Sequence, residues 1–180
     1  MAIIDVSARH IAPAGSSVAF EPQRTNNFRI RVSPPGNVAA NGRELLQFAT
    51  HSVQFPTENS TEIDIPYGNE TRKVAGRVTY PNIALVFKDF VDKKVLEILV
   101  AWRKLVYDPV TGKIGYAWQY KRNGDCDKFG PDGDQFVRRW RLLGMWPSSL
   151  DPGVAGQDNV AQTLINVTFT VDQVRYIGRV

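Results

Sequence analysis

The sequence predicts a mainly β protein, an antiparallel β-sandwich or partial barrel with one packed α-helix. Three observations lead there. Apolar and polar residues alternate with period two in several short segments, most cleanly where Ile165, Val167, Phe169 and Val171 interleave with Asn166, Thr168, Thr170 and Asp172. Clusters of Pro, Gly and Asn punctuate those segments as turns do. A single stretch, Val91 to Val106, instead repeats its apolar residues at helical spacing. With 180 residues and no compositional break, the chain suits one domain, residues 25–180, preceded by an N-terminal arm, residues 1–24.

The arm contains Pro13, Gly15, Ser16, Ser17 and Pro22 and has little periodicity, so it is read as an irregular segment able to dock on a neighbour. Phe28, Ile30 and Val32 alternate with Arg29 and Arg31, a strand with one buried and one wet face that ends at Pro34-Pro35-Gly36. After Asn41-Gly42, the segment Leu45 to Phe55 is read as a second strand closed by Pro56. Residues 56–73, PTENSTEIDIPYGNETRK, are polar and rich in turn formers, predicting a long exposed loop or hairpin tip. Val74, Gly76, Val78 and Tyr80 then alternate with Lys73, Ala75, Arg77 and Thr79 as a half-buried strand. Ile83 to Phe87 is apolar on both faces and suits a more central one.

For the helix, Asp89 is the expected N-cap, with Asp92 three residues on. Its core stripe is Val91, Val95, Ile98, Leu99, Trp102, Leu105 and Val106. Leu96 and Val100 fall off that stripe with no obvious partner in the chain, marking a helix flank for contact between subunits. Tyr107 to Gly112 ends the helix. Beyond it, Gly115 to Lys121 and Gln135 to Trp146 are read as strands bracketing the turn-rich NGDCDKFGPDGD. In the second of these Phe136, Arg138, Trp140, Leu142 and Trp146 share one face, against Val137, Arg139, Arg141, Leu143 and Met145. WPSSLDPG is read as a connection to the last clear strand.

Catalytic chemistry has little to stand on. His10 and His51 belong to no metal-binding spacing, Cys126 sits in no nucleophile signature, and no Gly-rich phosphate cradle is present. Asn123, Asp125, Asp127, Asp132 and Asp134 form the best oxygen-ligand series, but Phe129 occupies a ligand position and no glutamate closes the site. Turn chemistry explains them better. The reading is therefore no enzyme, no catalytic residue, no metal and no cofactor. The lone cysteine fits a reducing compartment, and neither a secretory leader nor membrane insertion is expected.

The net charge of +4 is unevenly spread. From Arg72 to Arg141 there are 15 Lys and Arg against 8 Asp and Glu, while Glu58, Glu62, Asp64 and Glu70 cluster just before. An acidic segment beside a basic body suggests copies stacking head to tail. Nucleic-acid binding through FVRRWRLLGMW is the rival from another class, weakened because Trp140 and Trp146 share the apolar face.

Residues 63–125, from IDIPYGNETRKVAGRVTYPNIALVF to GYAWQYKRNGD, followed by RRWRLLGMWPSSLDPG and INVTFTVDQVRY, resemble the tail tube proteins of contractile-tailed, T4-like bacteriophages. Tube proteins of type VI secretion and other injection systems share that architecture. The resemblance implies a structural virion protein that self-assembles into stacked hexameric rings, whose strands join neighbours into a ring-shaped inner β-barrel. It implies a hairpin loop touching the next ring, for which Glu58, Glu62, Asp64 and Glu70 are the candidates. It further implies a lumen through which DNA passes without sequence-specific binding, with Lys73, Arg77, Thr79, Thr168 and Thr170 as lining candidates from alternation. Implied partners are further copies of itself and the sheath, baseplate and tape-measure proteins. The implied location is the virion tail tube, assembled in the host cytoplasm.

Overall fold

A computed structural model describes residues 23–39, 41–92, 94–130, 136–153 and 161–178, and structural statements below concern these. The predicted arm, His10, Asp132 and Asp134 lie outside them. Alternation at Phe28–Val32 yields strand β1, with Ile30 and Val32 buried. It pairs antiparallel with β6, Arg122–Phe129, which pairs with the long strand β7, Phe136–Asp151. The first half of β7 also pairs with β9, Gln173–Gly178. Its second half pairs instead with β8, Leu164–Thr170. Strand β8 continues to β5, Ile83–Lys88, and β5 to the short β2, Thr50–Val53. One strand thus belongs to two sheet segments, β1–β6–β7–β9 and β7–β8–β5–β2, as in a partial barrel.

The transfer occurs at Gly144. Its φ of 66° is in the left-handed region, and a Cβ there would meet the Asp172 carboxylate at 2.2 Å. The register slips between Arg122 and Gly124, and the Gly144 N–H donates to Asn123 Oδ1 at 3.2 Å. Because of the extra residue, Leu142 and Met145 are both fully buried although three apart.

The core lies between the sheet and helix α2, Val95–Val106. Val95, Ile98, Leu99, Trp102 and Val106 are its buried stripe. Trp102 stacks on Phe169, ring centroids 5.6 Å apart, and its indole N–H donates to the Tyr120 carbonyl at 2.8 Å. Phe87, Leu85, Ile165 and Phe169 complete that layer, each burial stabilising by about 1.5–3 kcal/mol. The expected Ile165, Val167, Phe169 and Val171 face is buried throughout.

Several expectations need correction. The segment from Leu45 is not a strand: Gly42–Ala49 is helix α1, burying Gly42, Leu46 and Ala49 at helical spacing, and only Thr50–Val53 is extended. The adjacent pair Leu45-Leu46 already breaks strand alternation. Helix α2 begins at Val95 rather than at Asp89, which accepts the Phe90 N–H instead, and Val91 is fully exposed. The expected strand at Gly115–Lys121 is a β-bridge from Tyr107 to Ile114 followed by the single turn α3, Ala117–Tyr120. NGDCDKF is a strand, and WPSSLD continues β7. In both, cross-strand partners overrode turn-forming composition.

The acidic loop is ordered as a hairpin, β3 Asn59–Tyr67 and β4 Glu70–Thr79, turning at Gly68 with φ of 62°. It forms its own two-stranded sheet. The expectation that β4 is half-buried fails: apart from Gly76, every residue of both strands is exposed. No helix among the described residues is long and apolar enough to cross a membrane.

Candidate assembly surfaces

The hairpin is amphipathic. Ile63 pairs opposite Val74, Ile65 opposite Arg72 and Tyr67 opposite Glu70, which puts these residues on one face. Ile63 is 52% exposed, Ile65 45%, Tyr67 62% and Val74 45%. Arg72 lays its guanidinium 4.1 Å from the Tyr67 ring centroid. On the reverse face Glu62 and Asp64 lie opposite Ala75 and Lys73, and Lys73 forms an ion pair with Glu62. The acidic candidates therefore gather on one projection: Glu62, Asp64 and Glu70 in its strands, Glu58 just before them. Close packing at its base excludes a side chain at Gly76, where a Cβ would meet Thr61 Oγ1 at 2.6 Å.

The lumen candidates separate into two groups. Lys73, Arg77 and Thr79 are on β4 of the hairpin, whereas Thr168 and Thr170 are on β8, half-buried and alternating with the core residues. Thr168 pairs with Ala84 on one side and Ser149 on the other, both small and uncharged, whereas on the same face Thr170 lies opposite Trp146 and Asn166 opposite Asp151.

The helix flank is also changed by the fold. Leu96 is half-buried and packs against the edge of the core, so its supposed lack of a partner within the chain is corrected. It lines a shallow depression with Asp89, Phe90 and Val91. Val100 is half-buried.

A charged lattice that the sequence reading missed covers the outer face of β1–β6–β7–β9. Registers place Arg29, Asp127 and Arg139 in one row across three strands, and Arg31, Asp125, Arg141 and Arg175 in the next across four. Asp127 is fully buried and accepts from Arg139 Nε at 2.6 Å, Arg139 Nη2 at 3.0 Å, Arg31 at 3.1 Å and Arg29 at 3.3 Å. Burial alone would raise its pKa. The hydrogen bond from Arg139 and the charges of Arg31 and Arg139 outweigh that and hold it below the ordinary carboxylate value. Asp125 takes Arg31 at 3.3 Å and Arg141 at 3.1 Å. The turn reading of this series is corrected for its described aspartates: Asp125 and Asp127 belong to an arginine-paired strand face, and no described group of His, Cys, Asp and Glu is arranged to hold a metal. The available signal was Arg-x-Arg at Arg29 and Arg31, and again at Arg139 and Arg141, against Asp-x-Asp at Asp125 and Asp127.

Residues considered for chemistry are placed apart. His51 is exposed on β2, and Cys126 is buried on β6, where desolvation pushes its thiol up to about 12 and suppresses the nucleophilic thiolate.

No protein-family profile matches the chain, and no curated protein does. Solved structures do. A chain of the anti-feeding prophage tube-terminating cap is 16% identical with a TM-score of 0.70, the match covering 92% of this chain and 97% of that one. The chain has the fold of contractile-injection-system tube and tube-terminator proteins. A chain of the sheath/tube terminator of the extracellular contractile injection system PVC has this tube fold at 16% identity and TM-score 0.67, over 88% of this chain and 98% of that one. A chain of the PVC sheath-tube complex matches at 16% identity and TM-score 0.61, over 88% and 93%. The tube-fold likeness extends over nearly the whole length of each of these chains.

Proposed function

We propose that this chain is a structural subunit that assembles into hexameric rings, stacked as the inner tail tube of a contractile-tailed bacteriophage or a related injection system. The observation that carries this reading is the free-standing hairpin. Two strands alone are marginal in water, and this pair leaves Ile63, Ile65, Tyr67 and Val74 uncovered. A neighbouring copy that buries that face supplies the missing layer, and the fold shared with tube and terminator chains supports a ring as the setting.

Within this reading the hairpin contacts the next ring, with Glu58, Glu62, Asp64 and Glu70 on it. The open edges of β1, β2 and β9 join those of adjacent subunits, which removes unpaired backbone groups around the ring. Thr168 and Thr170 line the lumen on the polar face of β8. Lys73, Arg77 and Thr79 join them where the hairpin extends the inner wall of the neighbouring ring. Val100 and the outer side of Leu96 meet a second subunit. Sheath, baseplate and tape-measure proteins are the further partners, the passing cargo is DNA, and the tube itself performs no chemistry. Assembly takes place in the bacterial host cytoplasm.

A terminator role is the second reading, favoured by TM-scores of 0.70 and 0.67 for the two terminator-containing structures against 0.61 for the sheath-tube complex. Negative-stain imaging of the purified chain separates these readings. Extended hollow tubes support the tube subunit, isolated single rings support the terminator, and a stable monomer at all concentrations contradicts both.

A further inference from the structure

We infer that the arginine-lined depression on the outer face of β1–β6–β7–β9 is the receptor for the hairpin of a second copy of this chain. This inference rests on the tube reading and names the surface that the hairpin contacts.

The depression is walled by Arg31 on β1, Arg141 on β7, Arg175 on β9 and Arg43 on α1, with Asp125 and Leu143 at its floor. Four guanidinium groups thus face one carboxylate. Arg31 and Arg141 already share Asp125, which leaves Arg43 and Arg175 exposed and without a salt bridge among the described residues. An exposed guanidinium presents a planar fork of donors matched to a carboxylate, and Arg43 on α1, which packs on β1, and Arg175 on β9, the far strand of the row, each offer one.

The same chain exposes such a set. On the hairpin, Glu62 is taken by Lys73, whereas Glu58, Asp64 and Glu70 have no salt bridge among the described residues. Glu70 sits at the turn on the face that carries Ile65 and Tyr67, and Asp64 sits three register rows back on the opposite face, so the outer half of the hairpin presents an unpaired carboxylate on each side. Tyr67 and Ile65 at that tip also offer apolar surface to Leu143. The unpaired acids Asp64 and Glu70 lie on the hairpin and the unpaired bases on α1 and β9 of the body, and among the described residues no ion pair joins the two. Contact between unlike patches of identical subunits is heterologous, the kind that propagates along an axis.

The test is a charge exchange read by negative-stain tube length at low ionic strength, with circular dichroism and ring diameter as controls. Arg43→Glu with Arg175→Glu should retain folded rings but lose long stacks. Asp64→Lys with Glu70→Lys should do the same. Combining all four substitutions should restore long tubes, which no general loss of solubility or fold would do. Long tubes from the arginine double variant, or no restoration in the quadruple variant, would overturn the inference while leaving the tube reading intact. Wild type that forms no tubes would overturn the tube reading and this pairing with it. Duplex DNA bound by wild type and released by the arginine variant, with tube length unchanged, would assign the depression to nucleic acid instead.

Discussion

Strands β8 and β3 have the same kind of sequence and opposite fates. In β8, Ile165, Val167 and Phe169 alternate with polar residues and are at most 1% exposed. In β3, Ile63, Ile65 and Tyr67 alternate just as regularly and are at least 45% exposed. The difference is what lies over each apolar face. Helix α2 covers β8, while none of the described residues covers β3. Period-two alternation specifies a face. Whether that face becomes core or interface depends on a second layer, and in the assembly proposed above a neighbouring copy supplies it for the hairpin.

That contrast can be broken first in the body. Asp127→Ala removes the buried carboxylate on which the partly exposed Arg29, Arg31 and Arg139 converge, and losing these charged hydrogen bonds is expected to cost about 1.5–3 kcal/mol, measured by urea unfolding. The same site sets an acid limit. Because the folded Asp127 pKa is depressed, its stabilisation is complete above the ordinary aspartate value of about 3.9 and is lost as pH falls through the folded value. Asp127→Asn should therefore flatten the acid limb of a stability profile below about pH 4, leaving the curve lower but of unchanged shape at pH 5–7. An unaltered acid limb would remove Asp127 from the account.

In the hairpin, Ile63→Ser with Ile65→Ser should leave the body's unfolding midpoint unchanged and still abolish assembly, since those residues support only a neighbour. A drop in body stability comparable with a core truncation would show that the hairpin folds back onto its own chain. Leu96→Asp now has a mixed expectation: it should both lower stability and impair rings, because Leu96 touches the core edge as well as the proposed flank. Val100→Asp should affect rings more than stability. The smallest effect is electrostatic. Reversing Glu58, Glu62 and Asp64 together should shorten tubes at low salt and less so at high salt, as exposed pairs contribute only about 0.2–1 kcal/mol each and are screened.

Much of the body was legible. The alternation of Ile165 through Val171, the Phe28–Val32 strand and the Ile98, Leu99 and Trp102 stripe all pointed to their final positions, since each pattern is created by burial against a layer of the same chain. The misread segments share a different cause. DCD and WPSSLD look like turns because Asp, Ser and Pro favour turns locally, yet arginines and strand β8 distant in sequence hold them extended. At Leu45-Leu46 the broken alternation argues against a strand, but a two-turn helix is too short for its own period to stand out. For the proposed assembly surface, the acidic cluster is visible as composition and the Arg-x-Arg and Asp-x-Asp spacings as pattern, but that these form one lattice on Asp125 and Asp127 emerges only when four strands are placed in register.

Amide hydrogen exchange of residues 59–79, measured by mass spectrometry on assembled tubes and on the same protein dissociated, tests the central claim most directly. Burial of the hairpin by a neighbouring copy predicts that these amides exchange fast in the free subunit and slow markedly on assembly, with the β8 amides slow in both. Equal, fast exchange of the hairpin in both states would contradict it, and the uncovered face would then belong to something other than a second copy of this chain.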